Sequence, residues 1–304
     1  MSLLVAGTIA IDDVKTPVAE EKQLLGGSAA YAALAAAFFS KNTELMGIVG
    51  KDFPQGHLDM LGSHGVLLGG VERSEADSFY WSGEYMENMN DRVTHEVAIN
   101  VLEDWTPKVH EAGSKADIVA LANMSPQNQL EVLSQCESPS YVIADSMDLW
   151  IEIARQPLLE VISKVDLFVL NDSEAKLLVE ESNLLIAGEK LLALGAPQVI
   201  IKLGKYGSLL FSRDGGFFNC AVSQLRSVFD PTGAGDTFMG SIAGYLDGKG
   251  ITKPTFDDLR AGVARGSVMA SFTCEAFSTK RLEEVDQAQF DQRLGELQES
   301  VRFA

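Results

Sequence analysis

The segment Asp230-Pro231-Thr232-Gly233-Ala234-Gly235-Asp236-Thr237-Phe238-Met239-Gly240 passes from the end of an apolar run into a helix-forming one. Small residues at 233–235 let backbone N–H groups close on a phosphate, and a helix N-terminus adds positive partial charge at the same point. The pattern is that of an anion hole. Asp236, in the first helical turn, would face the bound anion and accept a proton from a substrate hydroxyl as its oxygen attacks phosphorus. The bland alternative is a glycine-rich connection with Asp236 as an ordinary first-turn carboxylate, and spacing alone leaves both readings open.

Such a loop needs a rigid sheet edge to hold it. Short runs rich in Val, Ile and Leu at 3–9, 44–49, 117–122, 141–145, 166–170 and 198–203 alternate with helix-length segments. The alternation predicts an α/β fold with a mostly parallel central sheet and helices on both faces. Helices are expected at 29–39 after Ser28, at 127–136 after Ser125-Pro126, at 173–181 after Asn171-Asp172, and at 234–246, 255–272 and 286–297. A hairpin is expected to turn at Asp214-Gly215.

Two stretches break this rhythm. Residues 12–25 are polar, and residues 71–105 alternate as antiparallel strands do, so both are expected to form a small β lid inserted in a single domain spanning 1–304. Phe79, Tyr80, Trp81, Tyr85, Met86 and Met89 cluster in the second stretch. They would line a lid over a ligand, pack against a second copy of the chain as a homodimer, or form a satellite core.

Composition removes several function classes. The formal net charge of −19 leaves no evident basic stripe for nucleic acid or anionic lipid, so an anionic ligand must be held locally. Cys136, Cys220 and Cys274 are odd in number and widely spaced, which suits reduced core thiols better than a disulfide framework or a zinc site. No apolar run reaches the roughly 18 residues that span a bilayer, and residues 2–11 lack the basic flank and cleavage site of a leader. The expectation is a cytoplasmic enzyme.

The string Asp-Pro-Thr-Gly-Ala-Gly-Asp-Thr-Phe closely resembles the C-terminal signature of the ribokinase-like, or PfkB, family of carbohydrate and nucleoside kinases. Further matches follow in family order. Gly7-Thr-Ile-Ala-Ile-Asp12 resembles the first strand with its substrate-binding Asp, and Gly26-Gly27-Ser28-Ala29-Ala30 the Gly-Gly substrate signature. Gly50-Lys51-Asp52-Phe53-Pro54-Gln55-Gly56 matches G-x-D-x-x-G, Asn171-Asp172-Ser173-Glu174 matches N-x-x-E, and Lys202-Leu203-Gly204-Lys205-Tyr206-Gly207 resembles the nucleotide-binding strand and turn. The resemblance runs from residue 3 to about 273, roughly nine-tenths of the chain.

That resemblance implies a ribokinase-like fold, ATP as phosphoryl donor and Mg2+. It implies Asp236 as catalytic base, with the backbone of Gly233, Ala234 and Gly235 as the anion hole. Asn171 and Glu174 would organise the metal and phosphates through water, since an amide and a carboxylate suit hydrated Mg2+. The same pair also reads as a helix cap. Lys202, Gly204, Gly207 and Thr232 would border the nucleotide. Asp12 would accept hydrogen bonds from two hydroxyls of a polyol laid against Gly26 and Gly27. Asn123 is a substrate candidate by its place after the strand at 117–122, at the carboxyl edge of the sheet. The run 267–274 lies where relatives bind a monovalent cation, so K+ activation stays open.

The expected activity is phosphorylation of a hydroxyl on a sugar or sugar-like alcohol. The Asn that many sugar kinases carry in the helix after Gly26-Gly27 is absent, and Asp145-Ser-Met-Asp148-Leu149-Trp150 lacks the Asn and Arg of the keto-acid sugar kinases. A carboxylated sugar is therefore disfavoured. Tyr31 and the lid aromatics, which offer faces for stacking, keep a nucleoside substrate in play. A binding protein that kept the fold without catalysis is the alternative of a different class. No G-x-G-x-x-G follows the first strand, and Gly244-Tyr-Leu-Asp-Gly248-Lys249-Gly250 lacks the P-loop spacing, so dinucleotide and P-loop folds are set aside.

Overall fold

A computed structural model describes residues 1–302. Its strands are β1 (Leu3–Ala6), β2 (Ala10–Lys15), β3 (Glu20–Gly26), β4 (Thr43–Val49), β5 (Leu67–Arg73), β6 (Phe79–Tyr85), β7 (Arg92–Ala98), β8 (Ile118–Leu121), β9 (Tyr141–Asp145), β10 (Leu167–Asn171), β11 (Gln198–Lys202), β12 (Ser208–Ser212) and β13 (Phe217–Cys220). Nine of them form one sheet in the order β13-β12-β11-β10-β9-β8-β1-β4-β5. The seven from β11 to β5 run parallel, and β12 and β13 fold back antiparallel. The continuous apolar runs explain this placement: β1, β4, β8 and β9 are buried at every position, as strands covered by helices on both faces must be.

The remaining four strands make a second sheet in the order β3-β2-β6-β7. Thus residues 12–25 and most of 71–105 form the small β element expected of them. Residues 71–73 do not join it, because β5 is the edge strand of the large sheet, beside β4. Val14, Leu24, Tyr85 and Phe277 form a satellite core under the small sheet, with Trp81 and Met89 packed on it.

The first strand ends earlier than its apolar run. At Gly7 and Thr8 the chain turns toward Ser28, where Thr8 N–H donates to Ser28 Oγ at 3.3 Å and Ser28 N–H to Thr8 Oγ1 at 3.1 Å. The chain then enters the small sheet, so Asp12 stands on β2 rather than at the end of β1.

Two helices determine where the ligand-facing loops meet. The helix Ser28–Ala37 is almost entirely Ala, and the helix Ala234–Gly248 carries Gly240, Gly244 and Gly248 on one stripe. A Cβ at these glycines would lie 2.1 Å from Ala32 O, 2.4 Å from Ala36 O and 2.1 Å from Phe39 O. Backbones can approach so closely only where side chains are missing. The contacts advance in the same direction along both helices, so their N-termini lie at one end, beside the carboxyl edge of the parallel strands.

Candidate active site

Both N-termini open on glycine. Gly27 (φ 90°) precedes the first helix and Gly233 (φ 74°) the second, each in backbone space that other residues enter only with strain. No side chain caps either start; Ala234 N–H donates to Pro231 O at 3.2 Å, and the next N–H of the helix, at Gly235, stays free to bind an anion. Space is tight on two sides of that turn. A Cβ at Gly233 would lie 2.4 Å from the Tyr31 ring, and one at Gly235 2.7 Å from Lys202 Nζ. The Lys202 ammonium therefore lies beside the anion hole. Tyr31, at 2% exposure, is committed to packing on Gly233 and has no face to offer a ligand.

Asp236 is half-buried in the first turn, with its carboxyl pushed above the usual range by burial while Lys202, its own N–H and Arg92 pull it back. A carboxylate so placed is a stronger proton acceptor than one in water. Asp12 is buried opposite the N-terminus of the first helix. A Cβ at Gly26 would lie 2.1 Å from its carboxylate. Burial, with Asp230, Asp236 and Asp13 adding like charge, holds the Asp12 carboxyl well above its ordinary value.

Asn171 and Glu174 form a reciprocal cap: Asn171 N–H donates to Glu174 Oε2 at 2.7 Å, and Glu174 N–H to Asn171 Oδ1 at 2.8 Å. The cap leaves Glu174 Oε1 and the Asn171 amide nitrogen for other partners. Asn171 and Lys202 are neighbours across β10 and β11. Burial raises the Glu174 carboxyl and Lys202 opposes that rise, so these groups share one field with Asp236. Gly204 (φ 54°) and Gly207 (φ 94°) frame the exposed turn after β11, and a Cβ on Gly207 would strike Cys220 O at 2.0 Å.

Thr232 sits between two anchors. Its N–H donates to Asp230 Oδ1 at 2.9 Å and its hydroxyl to Tyr85 Oη at 3.3 Å, which joins the nucleotide-side loop to the small sheet. Asp230 also accepts from Ser278 N–H at 3.2 Å, and Phe229 N–H donates to Cys274 O at 2.8 Å. These bonds tie the approach to the anion hole to the end of the helix Phe256–Thr273. Asn123 is at the sheet's carboxyl edge, but its side chain is already engaged: Oδ1 accepts from Trp150 Nε1 at 2.9 Å and Nδ2 contacts Met147 Sδ at 3.3 Å.

Sequence reasoning passed over one group as a site residue. Asp145 ends β9 with 2% exposure and has a buried Oδ1 without a partner. Its carboxyl is raised by burial and by Asp236, with Lys202 opposing. Its position at a parallel strand's carboxyl end was the available signal. Trp81, one of the lid aromatics expected from the sequence, is the neighbour of Asp12 across β2 and β6, a pairing that no local pattern reveals because the strands are far apart in sequence. Among the described residues no three His, Cys, Asp or Glu side chains gather as a metal cage. Asp145 and Glu174 instead offer isolated oxygens, which fits a hydrated divalent cation shared with phosphates. Among the described residues no helix is long and apolar enough to cross a membrane.

Known proteins resemble this chain over most of its length. The chain is 28% identical over 271 residues to the cytidine kinase of Thermococcus kodakarensis, covering 87% of this chain and 94% of that protein. Among solved structures, the nucleoside kinase of Methanocaldococcus jannaschii superposes with a TM-score of 0.78 at 20% identity, covering 97% of this chain and 98% of that one. The nucleoside kinase of Burkholderia thailandensis in complex with inosine gives 0.79 at 21% identity, with the same coverages of 97% and 98%. The model of the pfkB family carbohydrate kinases matches residues 6–285, nearly the whole length, and the chain belongs to that family.

Proposed function

We propose that this kinase transfers the γ-phosphoryl group of ATP to a hydroxyl of a ribonucleoside. The observation that carries the reading is the convergence on one cleft of Asp12, the Gly233–Gly235 turn and Asp236. One helix N-terminus would face the alcohol and the parallel one the phosphoryl group. Trp81 beside Asp12 favours a nucleoside over a free sugar, because a flat ring next to the hydroxyl-binding carboxylate is suited to stack a base. Its Nε1 donates to Thr94 Oγ1 at 3.3 Å, which fixes the ring plane. The likeness to a cytidine kinase over 87% of the chain supports the same substrate class.

Asp12 accepts hydrogen bonds from two ribose hydroxyls and orients the sugar. Asp236 takes the proton of the attacking hydroxyl as its oxygen bonds to the γ-phosphorus. The bond from that phosphorus to the bridging oxygen breaks, and ADP leaves. The N–H groups of the 233–235 turn meet the equatorial oxygens, where charge accumulates. Lys202 neutralises the phosphates from the side of β11, and Gly204 and Gly207 let the nucleotide lie against backbone. A divalent cation, Mg2+ in this proposal, would be held through water by Asn171 and Glu174 and would neutralise the triphosphate.

The test is ADP release with Mg-ATP across ribonucleosides, pentoses, hexoses and keto-acid sugars, with K+ present. One nucleoside should stimulate turnover strongly. Asp236→Asn should lower kcat by roughly 10²- to 10⁴-fold while ATP still binds. Near-normal turnover in that variant would remove the base assignment, and stimulation by free sugars alone would remove the nucleoside.

A further inference from the structure

The small sheet carries a cation that the reading above does not use. Arg92, the first residue of β7, lies directly across from Tyr85 on β6, and cross-strand partners present their side chains to the same face. Tyr85 is on the inner face: it is 8% exposed, belongs to the satellite core and meets Thr232 of the nucleotide-side loop. Arg92 is therefore on the inner face too, one strand further out. The turn that precedes it bends toward β11, for Asn90 Oδ1 lies 3.5 Å from where a Cβ on Gly204 would stand.

Nearby charges on the small sheet, at Glu84 and Asp91, have partners. Glu84 receives Lys15 at 2.9 Å and His95 at 3.4 Å, and Asp91 receives the Asn88 amide at 2.8 Å. Among the described residues Arg92 makes no hydrogen bond and no ion pair, on a chain of net charge −19. Its field instead reaches the site, where it draws down the carboxyl of Asp236. Asp236 and the Asn171–Glu174 cap bound one stretch of the site. A guanidinium free of protein partners, aimed at that stretch from the roof, matches two oxygens of a phosphate by its fork geometry.

We propose that Arg92 is an anion-binding residue that closes on the β- and γ-phosphates of ATP from the small sheet, opposite Lys202 on the floor. The inference rests on the kinase reading and deepens it, for it makes closure of the small sheet depend on the triphosphate. Nucleoside alone would leave Arg92 without its ligand.

The test compares Arg92→Gln, Arg92→Lys and Arg92→Ala with the wild type. Calorimetry with AMP, ADP and the β,γ-imido analogue of ATP, in the presence of Mg2+, separates phosphate contacts from base and ribose contacts. Arg92→Gln should lose about tenfold or more in affinity for the imido analogue and leave AMP unchanged, as expected when a charge-assisted pair is removed. Its kcat should fall by roughly 10- to 100-fold. Arg92→Lys should keep most of the affinity, and guanidinium ion should restore part of the turnover of Arg92→Ala. Equal losses for AMP and the imido analogue would mean a structural role, and no loss in Arg92→Gln would mean an idle surface cation; either overturns the proposal. A wild type that binds no adenine nucleotide overturns the kinase reading as well. An active wild type, silenced by Asp236→Asn and indifferent to Arg92→Gln, overturns this inference alone.

Discussion

The two sheets face the same cleft but are built by opposite means. Under the site, β1, β4, β8 and β9 are buried along their whole length, and two glycine- and alanine-lined helices touch backbone to backbone. Above it, β7 is exposed at six of its seven positions, and the small sheet rests on a core of four buried side chains. Packed elements with no spare volume hold a fixed geometry, whereas elements with few buried contacts open at small cost. The division suits the chemistry. In the proposed mechanism the anion hole and base must be preorganised, and the cover must part for an alcohol and a nucleotide to enter.

The strongest way to break this contrast is to disturb the helix pair. Gly240→Val places a branched side chain where a Cβ alone would be 2.1 Å from Ala32 O, a backbone atom that cannot step aside. A loss of about 3 kcal/mol in unfolding free energy is expected, read by urea denaturation. Val93→Thr, on exposed β7, should stay within about 0.5 kcal/mol of the parent. Comparable losses at the two positions would erase the distinction between rigid floor and yielding roof.

A second test uses the carboxylates gathered at the site from both sheets and the second helix. Asp12, Asp145 and Asp236 all have carboxyls raised by burial, so between the ordinary carboxylate range and their raised values the folded chain holds protons that the unfolded chain has released. Their contribution to stability therefore declines as pH rises through that window and stays low at neutrality. Asp145→Asn removes one such charge beside Asp236 and should raise stability by about 1 kcal/mol at pH 7.5. The gain should shrink toward pH 4. Thermal melts across that range decide it, and a destabilised variant at every pH would show Asp145 paired in solution. Activity should follow the same groups: kcat/KM falls on acidification through the raised value of Asp236, above the range of a free carboxylate.

What the sequence revealed divides along the same line as the two sheets. Strands at 141–145 and 198–202, the helix from Ala234 and the hairpin at Gly215 were legible because apolar runs and turn residues are local signals. The turn at Gly233–Gly235 with Asp236 in the first helical turn and the Asn171–Glu174 cap were legible because each lies within a few consecutive residues. The contacts made across the cleft were not. Trp81 meets Asp12 and Arg92 meets Tyr85 only through strand register, and the break after Ala6 depends on Ser28, distant in the chain. Even Tyr31, a plausible stacking face by position, proved to be a wall for Gly233, since a neighbouring residue type does not show which side of a helix faces the ligand.

The mildest change examines a hydrogen bond that crosses from roof to floor beside the Gly233–Gly235 turn. Thr232 donates to Tyr85 Oη at 3.3 Å, and the phenol, pushed up to about 12 by burial, stays protonated at any working pH. Tyr85→Phe keeps the ring in its satellite core and deletes only that oxygen. A single neutral hydrogen bond contributes about 1 kcal/mol or less, so global stability should hardly move. The closed form should lose a few-fold in population, and the KM for nucleoside should rise by about two- to fivefold with kcat nearly unchanged. Thr232→Val should do the same, and the double variant should be no worse than either single one if the two groups act through their mutual bond. Additive losses would mean that each hydroxyl serves the substrate directly, which would make the roof part of the binding surface rather than its cover.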